Sequence, residues 1–594
     1  MFLKWMKENN FRDVNFDTPL MPKACDRDFW DKRNNAQLIE RAEKYIDFSW
    51  PSIPVSTFIA FQREGNRMKH EIPYFERRKA LTSLVIGEIL EHKGRFIPQI
   101  VNGIYVICEE TYWGLSAHIK FCDQTPLIPS PEFPNIDLFA AETAATLALT
   151  YHLLYEEIKD YCSPILERIE YELNNKTIKP YLNLKKFFWM GYHGRSVNNW
   201  NPWIISNLLT VFLIIKKEED FYAGLEKMFT EINNYYVSAL DDGGCDEGAS
   251  YWVKAGGMLF NFCDNLYIAT NGRINFFNDE KIKRISEYIP NTYIGNGYIT
   301  NFADGSVKVT RGIESLIYRF GKRTSNKRLC AFAGLIKQNE TIESSDLYTM
   351  LCDVIYKNEI SDTEKYNPLD EYIYPKLQVS FANTDNWFYA AKGGHNSESH
   401  NHNDIGSFIV YYNNSPVLID PGCGTYTKQT FSEERYKIWT MQSGWHNLPV
   451  VNKLEQYNGE EYRATSFTLK NKTTNISFAD AYPKEAKILN LNRSIIQKNT
   501  GIEITDKFEF ENLNNTVEEH FITALTTFVK ENRVYIGDEY ILETNKDAEI
   551  VLDNVDFDGD KKLIKMWGSE KLNRISFNFK TEKESEITFT LRRL

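Results

Sequence analysis

The chain has 594 residues, of which 42% are hydrophobic and 25% charged, and its formal net charge is −12. That length is too great for one hydrophobic core, so two or three domains are expected in an otherwise ordinary globular protein. The acidic balance argues against nucleic acid or a membrane surface as partner, although a cleft on an acidic protein can still be locally basic.

Nine cysteines stand singly with no C-x-x-C pair, as free thiols of a reducing compartment do. The first residues lack the apolar run and small-residue cleavage site of a signal peptide, and no stretch is long and apolar enough for a transmembrane helix. The expectation is a cytoplasmic protein, or an exported one whose signal has been removed. Twelve Trp and 34 Tyr would build a large core and could also present flat faces to sugar rings.

Roughly the first 370 residues read as helical. Ala80, Leu81, Leu84, Val85, Ile89 and Leu90 recur at helical spacing, as do Leu138, Ala141, Ala145, Leu149 and Leu153, and Ile165, Leu166, Ile169 and Leu173. Trp203 to Ile215 is apolar nearly all round, as a buried helix is. Many helices on short connections, with buried inner members, suit a toroid or a solenoid. After about Tyr372 the texture changes to alternation: Ile502, Ile504, Phe508 and Phe510, then Ile587, Phe589 and Leu591, lie between polar residues. The fold class read from this is multidomain α+β. An N-terminal (α/α) toroid over 1–371 is followed by an antiparallel β-sandwich or stacked-sheet domain over 372–594.

Three segments carry chemistry. The first, Asn198-Asn199-Trp200-Asn201-Pro202-Trp203, opens the apolar helix; one Asn suffices to cap it, and the other amides beside two Trp would make a sugar-binding wall. His193, just upstream, would face the same cleft or stand solvated in a loop. The second, Asp241 to Trp252, is a glycine-marked loop ending in Tyr251, which is expected at the start of the helix running through Phe260. Glu247 in that loop would bond Tyr251 or substrate, or sit exposed beside Asp246. The third runs from Gly393 to Tyr426 and holds His395, His400, His402, Asp404 and Asp420 on one expected hairpin, with His446 soon after. On a strand, residues two apart face the same way, so His400 and His402 would converge on a metal ion or an acid/base site. Tyr426 and Trp445 would line subsites or simply pack. Arg435 would clamp a carboxylate or sulfate, or pair with Glu433 and Glu434 at the surface.

His400-Asn401-His402-Asn403-Asp404, Gly406-Ser407-Phe408, Asp420-Pro421-Gly422 and Trp445-His446-Asn447 together resemble the heparinase II/III family of polysaccharide lyases. The Asn-Asn-Trp and Asp-Glu-Gly-x-x-Tyr-Trp motifs resemble the catalytic part of that family's helical domain. The resemblance implies a toroid followed by stacked antiparallel sheets, and β-elimination at a uronic acid of an acidic oligo- or polysaccharide. It assigns Asn199 to neutralising the uronate carboxylate, with Asn198 and Asn201 as alternatives and Trp200 beside them. Tyr251 and His400 become the acid/base pair, with Tyr251 serving both roles if proton and leaving group share a face. It also implies a zinc ion on His402, Asp420 and His446, with Asp404 orienting an imidazole. Two other readings stand beside it. One is a toroid glycoside hydrolase using Asp246 or Glu247 with Asp304; the other is a cupin-like metal enzyme built on the His-x-His hairpin.

Overall fold

The computed structural model describes the chain except for residues 120–125, 133, 185–186, 195–196, 338–342, 362, 385 and 428. Two compact units emerge. One comprises Met1–Ala239, Val253–Ser286 and Arg311–Tyr366; the other comprises Leu240–Trp252, Glu287–Thr310 and Asn367–Leu594. This differs from a single division between residues 371 and 372. Two short segments embedded in the helical sequence, 240–252 and 287–310, belong to the β-unit.

The first unit is an (α/α) toroid. Its inner helices are those whose sequence is apolar on every side. Leu138–Leu153 starts where the Asp137 side chain accepts a hydrogen bond from the Ala140 N–H, the usual way of satisfying an orphan donor at a helix start. Trp200–Ile215 packs beside it and buries every residue from Asn201 to Leu213. Glu218–Ser238 lies outside, with Glu218, Glu219 and Asp220 in its first turn, where the helix dipole favours negative charge. Among the described residues no helix is long and apolar enough to cross a membrane.

The second unit stacks antiparallel sheets. A five-stranded meander takes β1 (Glu371–Tyr374), β2 (Val379–Asn383), β3 (Trp387–Lys392), β4 (Phe408–Tyr412) and β5 (Ser415–Leu418) in chain order. An eight-stranded sheet has β7 (Gly501–Phe510) and Glu584–Arg593 at its centre, with β6 (Ile488–Lys498) on the other side of β7. A four-stranded sheet faces it through Val517, Phe521, Ile575 and Phe577, which meet Ile504, Phe589 and Leu591 in one continuous core. The alternation of Ile502, Ile504, Phe508 and Phe510 is this burial pattern: each is buried, with Glu503 and Lys507 facing out.

One buried cation ties this core to the histidine loop. Arg493 on β6 is 1% exposed and donates to both carboxylate oxygens of Asp506, at 2.8 and 2.5 Å. Its remaining nitrogen donates to the Gly406 and Asn447 carbonyls, at 2.9 and 2.6 Å. Removing one partner of such a pair leaves an uncompensated buried charge. Arg493→Met should therefore destabilise the β-unit by about 3–5 kcal/mol, read as an earlier denaturant midpoint.

Candidate active site

Loops of the β-unit assemble the site. Residues 240–252 are held there by their own polar groups: the Asp242 carboxylate accepts from the Lys376 and Leu377 N–H groups, and Tyr288 donates to the Cys245 carbonyl. Gly248 sits at φ 92°, and a Cβ there would meet the Phe302 carbonyl at 2.8 Å, so only glycine lets this loop close on residues 301–306. Tyr251 lies in a turn, not at a helix start. A short 3₁₀ turn, Trp252–Lys254, follows it, and the helix Gly256–Ala269 begins only beyond that. The expected His-x-His strand is likewise a loop: residues 400–407 connect to β4, and the hairpin proper is β4–β5. His400 takes the left-handed conformation at φ 56°, and Ala303 does so at φ 60°. Both are non-glycine residues in a sparsely populated region, which persists only where surroundings over-determine it.

The centre of the cluster is Asp304, buried and 3% exposed. Its Oδ2 accepts from His400 Nδ1 at 2.7 Å and from the Tyr426 hydroxyl at 2.9 Å. Its Oδ1 accepts from His402 Nε2 at 3.0 Å and from Arg435 Nη2 at 2.8 Å. Burial alone would raise this carboxyl; hydrogen bonds from His400 and His402 and the charge of Arg435 outweigh it and hold the group well below the carboxylate range. Asp304 is thus a permanent anion that dictates the protons around it. His400 must carry its proton on Nδ1, which leaves Nε2 as the basic atom, 3.6 Å from Glu247 Oε2.

Tyr251 and His400 stack with ring centroids 4.4 Å apart. The Tyr251 hydroxyl is 2.5 Å from that of Tyr426. Because Tyr426 gives its proton to Asp304, Tyr251 donates to Tyr426 in the resting arrangement. Burial pushes the Tyr251 phenol up, and the Tyr426 hydroxyl, able to turn toward a phenolate, opposes this in part. Tyr251 is therefore a neutral phenol that keeps its proton.

Beside this lies a second, fully buried cluster. Ligand atoms of His402, Asp404, Asp420 and His446 all fall within 4.8 Å of one another. Each histidine is anchored through Nε2: His402 donates to Asp304, and His446 donates to the Thr440 carbonyl at 3.1 Å. Both therefore turn Nδ1 inward. His402 Nδ1 and Asp404 Oδ2 are buried with no hydrogen-bond partner among the described residues, and His446 Nδ1 is 3.0 Å from Asp420 Oδ2. Imidazoles held by acceptors at the far nitrogen, converging with carboxylates, are a donor set that suits zinc. Asp404 does not orient an imidazole, as expected of it; its Oδ1 accepts from the buried Lys392 ammonium at 2.5 Å. The partner that orients His402 is Asp304.

Other expectations change as well. Arg435 is engaged internally: besides Asp304 it donates to the Asn401 and Thr430 carbonyls, and it makes no surface pair with Glu433 or Glu434 among the described residues. Glu247 is buried, 3% exposed, not a surface acid. Tyr426 belongs to the hydrogen-bonded chain itself. In the helical unit, Asn201 is fully buried and its amide donates to the Trp189 and Glu231 carbonyls, a structural role that removes it as a ligand group. Asn198 accepts from the Trp200 N–H, while Asn199, 6% exposed, makes no capping bond with its side chain. Trp200 is half-buried between His118 and Phe188, and His193 is exposed on a turn. Asp304 entered the sequence reading only as a hydrolase acid. Its Asn-Phe-Ala-Asp-Gly context reads as a plain turn, and nothing in it signals four donors.

The sequence model of the heparinase II/III-like C-terminal domain matches residues 382–556, the stretch that carries His400, His402, Asp420, Tyr426, Arg435 and His446. The structure is similar over 98% of its length to a heparinase III gene product, covering 87% of that chain at 12% identity with a TM-score of 0.65. It is similar to heparan sulfate lyase HepC from Pedobacter heparinus over 100% of this chain and 87% of that one, at 10% identity and a TM-score of 0.60. Chondroitin AC lyase from Streptomyces coelicolor A3 gives 8% identity over 94% and 79%, with a TM-score of 0.53. No curated protein sequence matches the chain. The protein therefore carries a heparinase II/III-like C-terminal domain on a heparinase III-like fold.

Asp304→Asn puts an amide donor where one of the protons of His400, Tyr426, His402 or Arg435 now ends. The variant should lose about 1–3 kcal/mol of stability. Nitrogen NMR of the imidazoles should show His400 passing from a single Nδ1–H tautomer to a mixture.

Proposed function

We propose that the protein is a polysaccharide lyase that cleaves uronate-containing, glycosaminoglycan-like glycans by β-elimination. The observation that carries this reading is the stacked Tyr251–His400 pair: a phenol that keeps its proton beside an imidazole whose Nε2 is the basic atom. Elimination across a uronate needs a base for the proton on C5 and an acid for the glycosidic oxygen on C4. His400 Nε2 takes the C5 proton. The electrons of that C–H bond form the C4–C5 double bond, the C4–O bond breaks, and the leaving oxygen takes the Tyr251 proton. Asp304 at Nδ1, and Glu247 on the other side, stabilise the imidazolium that forms.

The C5 proton is only weakly acidic until the adjacent carboxylate is neutralised, and an amide aimed at the developing charge contributes about 3 kcal/mol. That role belongs to Asn199, an assignment resting on the resemblance of its Asn-Asn-Trp motif. The hydrolase alternative is weaker. It pairs Asp304 with Asp246 or Glu247, and both oxygens of Asp304 are already taken up by four donors of the protein itself.

Against an acidic oligo- or polysaccharide panel, the wild-type protein should generate the ultraviolet band of the conjugated unsaturated uronate. Tyr251→Phe should lower kcat about a thousandfold with KM little changed. Depolymerisation without that band would sink the elimination mechanism.

His402, Asp420 and His446 hold a zinc ion in this reading, with Asp404 as a further donor. When bound, the ion supplies positive charge that fastens the loop presenting His400. The support is the buried donor set with His402 Nδ1 unpartnered among the described residues. Elemental analysis should find about one zinc per chain, and His446→Ala should lose it together with a drop in melting temperature.

A further inference from the structure

Among the described residues, three cationic side chains of the β-unit stand near the cluster, and two of them are ion-paired. Arg435 is bound to Asp304, and Lys392 lies buried between Asp404 and Glu398. The third, Lys562, is half-buried and makes no ion pair among the described residues. Its ammonium lies 4.9 Å from the centroid of the Tyr426 ring and donates to the Gly424 carbonyl at 3.3 Å. An ammonium has three donors and one is used here.

This lysine is not a loose surface chain. It sits on the helix Lys561–Trp567, which the Asp560 side chain caps by accepting from the Lys562 and Leu563 N–H groups. The same carboxylate accepts from the Thr425 N–H at 2.7 Å and hydroxyl at 3.0 Å. Trp567 Nε1 donates to the Pro421 carbonyl at 3.0 Å, and a Cβ at Gly422 would meet Met566 Sδ at 2.9 Å. The helix is thus fastened at both ends to residues 421–425, the segment that delivers Tyr426. It lies beyond residues 382–556, the part that matches the family's domain.

We propose that Lys562 reads an anionic group of the substrate, a sulfate or a carboxylate on the sugar lying against Tyr426. The inference rests on the lyase reading for the identity of that sugar. A cation with unused donors, held at the ring of the tyrosine that touches Tyr251, is placed to bind an oxyanion without taking part in proton transfer.

The test compares Lys562→Met, which keeps the aliphatic stem, and Lys562→Arg with wild type, on a sulfated uronate oligosaccharide and its unsulfated counterpart. Lys562→Met should lose about tenfold in kcat/KM through KM, with kcat nearly unchanged, and Lys562→Arg should stay within about threefold. A loss confined to the sulfated ligand identifies a sulfate, and an equal loss on both identifies the carboxylate. The same substitutions in a Tyr251→Phe background, with binding measured by calorimetry, keep the two readings apart. Absence of unsaturated product from wild type sinks the lyase reading, while the calorimetric loss still reports on Lys562. Lys562→Met binding and turning over both ligands as its parent does would overturn the proposal.

Discussion

An ionised carboxylate cannot remain buried unless its charge is met from several sides, and the site of this protein is arranged around one that is. Asp304 takes four donors on its two oxygens, and each donor is thereby told where its proton lies. His400 keeps Nδ1–H and offers Nε2. His402 keeps Nε2–H and turns the Nδ1 lone pair toward the cluster it forms with Asp404, Asp420 and His446. Tyr426 gives its proton to Asp304 and so must accept the one from Tyr251. One anion therefore sets the proton positions of the Tyr251–His400 pair and of the buried donor cluster together, so neither arrangement can shift without disturbing the other.

Holding such a group in place strains the backbone beside it. Ala303 and His400 both occupy left-handed backbone, costing of order 1–3 kcal/mol each. The surroundings that enforce this are identifiable. Asn301 donates to the Asp420 carbonyl, Ser250 accepts from the Ser306 N–H, and Arg493 reaches from the eight-stranded sheet to the Gly406 carbonyl at the end of the histidine loop. Both of these residues lie in loops, between regular elements. This is the arrangement in which a rigid scaffold presents loop residues in exact register.

Much of the architecture was legible beforehand because it is a matter of periodicity. Leu138 to Leu153 and Trp203 to Ile215 repeat as buried helices do and form them; Ile502 to Phe510 alternate and pair as a strand. The resemblance implied that His402, Asp420 and His446 meet, and they do; spacing alone spoke only for His402 and Asp420, which a hairpin return brings to one place. Local pattern misled where a turn imitated a regular element. His400-x-His402 has strand spacing but lies in a loop, and Tyr251 precedes its helix by a turn. The three asparagines were indistinguishable as letters. Only burial and bonding separate Asn201, locked between two carbonyls, from Asn198 at the helix start and Asn199 beside it.

From the order of residues alone came the two textures, the motifs and the kinds of side chain the proposed elimination requires, because these depend on neighbours close along the chain. What folding decided was the company each group keeps. Asp304 and His400 are 96 positions apart, and Tyr251 and Tyr426 are 175 apart. Contacts over such separations follow from how loops close on one another, and no local pattern records them. The proton on each of these groups, and hence its chemistry, is set by those contacts.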